Sequence, residues 1–195
     1  MGSIMDLSGR RKNHDQAELE KALFLLGLII YAGGQSMIAF GRGFIDSLSP
    51  IDFAHWALMV GAIFLIPYSI SANRGILSRL SSYALLIGVA GIVGMCVIDF
   101  VIWSYPPGPE RRAFLEHISA EPSVWLPFIY IGPWLFGIGL VLVSLRFYAT
   151  ARFGVLIVVI GSIVSATTTS WFTVLAYVLI AVGYVVCFRR PEKPS

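Results

Sequence analysis

The sequence predicts an all-α, polytopic membrane helix bundle, and three observations carry that expectation. Of the 195 residues, 57% are hydrophobic and only 13% charged, with a mean hydropathy of +0.80. A soluble domain of this length carries about 25% charged residues. The charges are bunched, so that six long, nearly uncharged runs lie between them, each close to the roughly 20 apolar residues that a helix needs to cross a bilayer. Lys and Arg also concentrate in alternate connections, as they do in membrane proteins of fixed orientation.

The first run, 22–40, follows MGSIMDLSGRRKNHDQAELEK, which is basic at Arg10, Arg11 and Lys12. A charged start before an apolar run is also how a signal peptide reads. This run is too long for one, and no small-x-small cleavage site closes it, so a retained first span is expected. Asp6 breaks the myristoylation pattern, which needs Ser or Thr there. The domain organisation expected is a cytoplasmic N-terminal segment at 1–21, a membrane domain at 22–188 and a cytoplasmic tail at 189–195.

The second run, 51–71, opens on Ser49-Pro50-Ile51-Asp52, with an N-cap serine, proline at the first helical position and an acid three residues after the cap. The third, 83–103, contains Asp99 among Val, Ile, Met, Phe and Trp. Between it and the fourth run, 124–145, lies PPGPERRAFLEHISAEPS. Pro109 and Glu110 open a short helix there and Pro122 closes it, with Phe114, Leu115 and Ile118 on one face, so an amphipathic helix at the outer surface is expected. Gly132-Pro133 predicts a kink in the fourth span. The fifth run, 153–169, is short, and its break from the sixth, 171–188, is placed in TTTSW. Five spans plus a re-entrant pair is the alternative; six fits better. The two three-span halves match poorly in sequence, so an internal repeat is not expected.

Orientation follows from the basic residues. With the N-terminus inside, eleven of the fourteen Lys and Arg lie on the inner side, and only Arg42, Arg111 and Arg112 lie outside. Both termini are therefore expected in the cytoplasm, and the net charge of +3 reflects topology rather than a nucleic-acid partner. Cys96 and Cys187 fall in spans near opposite ends of the chain and read as buried small hydrophobes, without metal-type spacing.

Asp99 is the residue that a membrane span explains least. A carboxylate at a helix centre in hydrocarbon costs about 2.5–3.5 kcal/mol on insertion scales, falling toward the interface. Asp99 lies one turn before Trp103, about 6 Å below the outer aromatic boundary at 1.5 Å per residue. Water or Arg42, Arg111 or Arg112 would satisfy it there. His55, Gln35, Tyr130 and Trp134 fall in the same outer half, whereas the inner half is almost wholly aliphatic or small. This skew predicts a pocket open to the outside, lined by Gln35, His55, Asp99, Tyr130 and Trp134, with a His55–Asp99 pair as a proton-sensitive element. The Gly, Ser and Thr stripes of the last two spans read as helix-packing surfaces.

Other chemistry is not legible. His14 reads as solvated. His117 and Glu121 are four apart on one helical face, a spacing that can begin a metal site, but a solvated helix accounts for them, and neither a metal nor a cofactor is expected. There is no histidine box, Gly-x-Ser-x-Gly elbow, phosphate-cradling loop or lysine within a span. Three functions compete. The first is binding or transport of a small solute, lipid head group or proton at the cell membrane. The second is a non-catalytic subunit or assembly factor, meeting a membrane-protein partner or a second copy through faces such as Ala90-x-x-x-Gly94. The third is an enzyme acting on a lipid or isoprenoid, with Asp99 and His55 as acid–base pair. Dedicated catalytic groups are few, which puts the enzyme last. A pocket holding Asp99 and His55 within bonding distance would favour pocket functions over the subunit, and two converging carboxylates would favour the enzyme.

Overall fold

The computed structural model describes residues 3–48, 51–71 and 75–190, and every regular element among them is helical. The chain opens with α1 (Ser3–Ala39) and a short α2 (Arg42–Ser47). The second apolar run is split into α3 (Phe53–Ile63) and α4 (Ile66–Ser71). After these come α5 (Ile76–Ser104), α6 (Pro109–Ser119) and α7 (Pro122–Trp125). A π-helical turn over Leu126–Ile131 joins α7 to α8 (Gly132–Ser144). The chain ends with α9 (Arg152–Thr167) and α10 (Trp171–Phe188).

Among the described residues, five stretches are long and apolar enough to cross a membrane: His14–Ala39, Phe53–Ser71, Ile76–Ser104, Pro122–Phe147 and Trp171–Phe188. The chain is thus an all-helical protein of membrane character. The sixth apolar helix, α9, has 16 residues and is about 24 Å long, less than the roughly 30 Å hydrocarbon core. It ends where Thr168 turns extended (φ −126°, ψ 167°), and Ser170, at a positive φ of 63°, caps the start of α10.

Local chemistry sets the interruptions. The break between α3 and α4 falls at Phe64 and Leu65, just ahead of Pro67, whose ring removes a backbone donor from the first turn of α4. The π-turn contains Pro127 and is followed by Pro133, two residues that each remove a backbone donor from the ladder. Of the cap expected for the second span, Ser49 and Pro50 lie outside the described residues. Asp52 is the N-cap of α3, and its Oδ1 accepts from the His55 backbone N–H at 3.1 Å.

Six helix–helix contacts hold most of the described bundle. α1 packs on α3 and α10, α5 on α8 and α3, and α9 on α10 and α8. In lipid the contact is held by close packing rather than by water expulsion, so small residues sit where backbones meet. A Cβ added at Gly61 would come within 2.7 Å of the Gly27 carbonyl, and one added at Gly132 within 2.6 Å of Gly91 Cα. Gly154 and Gly183 face each other in the same way between α9 and α10. The interior is aromatic: Phe24 packs on Tyr68 and Tyr184, and Tyr31 lies between Phe136 and Tyr177. The buried Tyr184 hydroxyl donates to the Leu140 carbonyl at 2.5 Å, since a phenol in such an interior keeps a partner.

Candidate functional site

His55 lies on the first turn of α3, one turn past the Asp52 cap. The same three-residue spacing that lets the Asp52 carboxylate receive the His55 backbone N–H also brings its second oxygen to the ring. Asp52 Oδ2 is 2.6 Å from His55 Nδ1. The other ring nitrogen, Nε2, is 3.1 Å from Asp99 Oδ2 on α5. One imidazole therefore bridges two carboxylates, and in doing so it ties α3 to α5. Phe100 approaches the ring edge-on, with centroids 6.4 Å apart, and Trp56 packs on Phe100.

Burial grades across the three groups. The side chain of Asp52 is 2% exposed, that of His55 14% and that of Asp99 28%. Asp52 is the anchored end, and Asp99 is the group that meets the surroundings. Burial works to raise the Asp52 carboxyl, but the bonds from the His55 ring and backbone outweigh it and hold the group below the usual carboxylate range. Ionised carboxylates only accept, so an imidazole serving both carries a proton on each nitrogen.

The triad forms the floor of a cavity of about 230 Å³, closed by Ile38, Arg42, Ile45 and Trp103. Arg42 adds a cation to the same lining. Of the neighbouring elements, α2 contributes Arg42 and Ile45 to the lining, and α6 is tied to α2 and to the end of α5. Arg111 of α6 pairs with Asp46 of α2 at 3.4 Å, donates through Nε to the Tyr105 carbonyl at 2.8 Å and lies over the Trp103 ring. Phe114 stacks on Tyr105 with centroids 4.8 Å apart, which seats α6 over the end of α5. Arg111, one candidate partner for Asp99 from sequence, is thus committed elsewhere.

The five residues expected to line one pocket are divided by the fold. His55 and Asp99 share the cavity just described. Gln35 is half-buried on α1, with its amide within reach of the Tyr31 hydroxyl. Tyr130 and Trp134 line a different cavity of about 410 Å³ between α8 and α9. Their face of the fourth span turns toward α9, and the opposite face of that span packs on α5. Gly94 would place a Cβ against the Phe128 ring, whereas Ala90 is exposed, so the Ala90-x-x-x-Gly94 stripe is partly consumed inside the bundle. Among the described residues no three His, Cys, Asp or Glu side chains are grouped so as to hold a metal ion.

Sequence reasoning missed two features. Asp52 was read only as a helix-start acid, although its position three residues before His55 is also the spacing of a side-chain pair. The second is a polar cluster at the other end of α5. There Arg146 Nη2 donates to Ser81 Oγ at 2.6 Å and to the Ser78 carbonyl at 3.1 Å, and Ser82 Oγ donates to the Ser69 carbonyl at 2.5 Å. LSRLSS was the available sign, since its serines recur on one helical face.

Comparison with protein-family models, curated proteins and solved structures finds no match to this chain.

Proposed function

We propose that the chain is a six-span protein of the cell membrane with both termini in the cytoplasm. In this reading the His55 cavity opens outward and binds or transports a small polar solute, a lipid head group or a proton. The observation that carries the reading is the bridged Asp52–His55–Asp99 set lying in a cavity with Arg42. Charged groups inside a membrane domain ordinarily face a cavity and mark a solute or proton path. A half-exposed acid held by an imidazole, which is itself held by a buried acid, is suited to taking up and releasing a proton. A cationic Arg42 and the acids in one cavity suit a ligand carrying both charges or polar groups. The orientation rests on the sequence, in which Arg42, Arg111 and Arg112 fall in the connections assigned to the outer side and the other eleven Lys and Arg in those assigned to the inner side.

A second reading, a membrane enzyme acting on a lipid, is favoured by the convergence of two carboxylates on one histidine. The cavity lining argues for binding first. Both ring nitrogens are engaged, and among the described residues no serine, threonine, cysteine or lysine lines the cavity as a nucleophile.

Mass spectrometry of small molecules that co-purify with the protein in native lipid tests the proposal. Wild type is expected to carry a polar low-mass species that falls about tenfold in Asp99→Asn and in His55→Ala, the scale of one lost charge-assisted hydrogen bond. Asp15→Asn, remote from the cavity, should retain it. Equal recovery from all four proteins, or none from wild type, would overturn the reading.

A further inference from the structure

The cavity between α8 and α9 contains a polar group that the fold leaves unused. Along the last turns of α9, three hydroxyls close onto their own helix. Ser165 donates to the Ser162 carbonyl at 2.9 Å, Thr167 to the Ile163 carbonyl at 2.9 Å and Thr168 to the Val164 carbonyl at 2.6 Å. Such back-bonding is the ordinary state of a helical hydroxyl. Ser162 departs from it. The residue is 8% exposed and lies in the cavity wall, and its Oγ has no hydrogen-bond partner. Buried hydroxyls in folded proteins nearly always have one.

The surroundings restrict what can supply that partner. The cavity, about 410 Å³, is within the range of sites that hold a small ligand, and no charged side chain lines it. Its walls are Ile138, Val141, Leu142, Val159, Ile163 and Ala166. Tyr130 and Trp134 stand at its rim, 55% and 57% exposed, and such residues collect at the level where lipid chains meet their polar groups. The Ser162 hydroxyl can donate one hydrogen bond as well as accept, and its donor finds no acceptor among the described residues. The complementary occupant is a single hydrocarbon chain ending in an acceptor without charge.

We propose that this cavity holds one phospholipid acyl chain, with its ester carbonyl accepting a hydrogen bond from Ser162 Oγ. The site is separate from the His55 cavity and stands whether or not that cavity takes a solute.

The test uses vesicles of a diester phosphatidylcholine and of its dialkyl-ether counterpart, which has the same chains without the carbonyls. Full-length protein is reconstituted, extracted in mild detergent, washed, and weighed intact by native mass spectrometry. Wild type should keep one diester lipid per chain and retain it about tenfold better than the ether lipid, the scale of one neutral hydrogen bond. Ser162→Ala should hold the two lipids equally. Gly137→Phe should hold neither: a Cβ at Gly137 meets nothing within 4 Å, so the ring can fill the cavity while the fold is kept, as an unchanged melting temperature would verify. Equal retention of ester and ether lipid by wild type would overturn the proposal. So would a graded series of bound lipids without a preferred single copy, or full retention by a well-folded Gly137→Phe.

Discussion

His55 Nε2 and Asp99 Oδ2 lie 3.1 Å apart, across the gap between α3 and α5. Neither residue owes that closeness to its own helix. The N-cap geometry at Asp52 fixes where the imidazole starts, and the packing of α5 on α3 brings the second carboxylate to its free nitrogen. The pair is thus both a tie between two spans and the floor of a cavity.

Asp52 gives the site an acid limit. Its carboxyl lies below the usual range, because the bonds from His55 overcome the effect of burial. A depressed carboxyl contributes stability that is complete above the unfolded value of about 3.9 and drains as the pH falls through the lower folded value. Thermal unfolding in detergent from about pH 5 to about pH 3 should therefore fall more steeply for wild type than for Asp52→Asn. At neutral pH, Asp52→Ala should lose about 1–2 kcal/mol from the missing cap alone. Parallel pH profiles for wild type and Asp52→Asn would show that the carboxylate is not held as described.

Helix contact through glycine predicts opposite outcomes for two nearby substitutions in α1. A Cβ at Gly27 would meet the Gly61 carbonyl at 2.6 Å, whereas one at Gly33 meets nothing within 4 Å. Gly27→Ala should destabilise by about 1–3 kcal/mol through overpacking against backbone. Gly33→Ala should be neutral or gain up to about 1 kcal/mol from helix propensity. Melting temperatures of the two variants check the contrast, and an equal effect would place the α1–α3 contact elsewhere.

At the other end of α5, the planar fork of Arg146 spans Ser81 Oγ and the Ser78 carbonyl. Arg146→Lys keeps the charge and loses the fork, so it should cost about 1.5–3 kcal/mol, the range for a hydrogen bond to a charged group. Ser81→Ala should cost less, because the Ser78 carbonyl still accepts. Denaturant titration of the purified variants separates these outcomes.

The orientation predicts which face a reagent reaches. Cys96 and Cys187 are buried, so the native chain gives little background to an impermeant maleimide. Ala113→Cys on α6 should label in intact cells, and Ala149→Cys, before α9, only after lysis; both positions are exposed. The reverse pattern would invert the bundle.

The spans were legible because length and apolarity are properties of a single run of chain. What a helix faces is not. Tyr130 and Trp134 line a cavity of their own, because the side of α8 that turns toward α9 is decided by which face α5 occupies, through Gly91 and Gly132. No periodicity within one helix encodes that choice. His55 and Asp99 were legible as a pair because ionisable groups in apolar runs have few places to go. Asp52 escaped because one carboxylate serves two purposes, capping the backbone and holding the ring, and only the first is a habit of sequence. The split of the second span escaped as well, since Pro67 marks the region of a break without fixing its residue.

A double-mutant cycle on His55→Ala and Asp99→Asn, read by equilibrium unfolding in detergent, tests the bridged site most directly. Residues in contact couple by about 0.5–3 kcal/mol, whereas independent sites add to within about 0.3–0.5 kcal/mol. The account predicts coupling in the first range, with Asp99→Asn nearly silent once His55 is gone. Strict additivity would mean that the imidazole and the carboxylate do not meet, and the cavity floor would go with them.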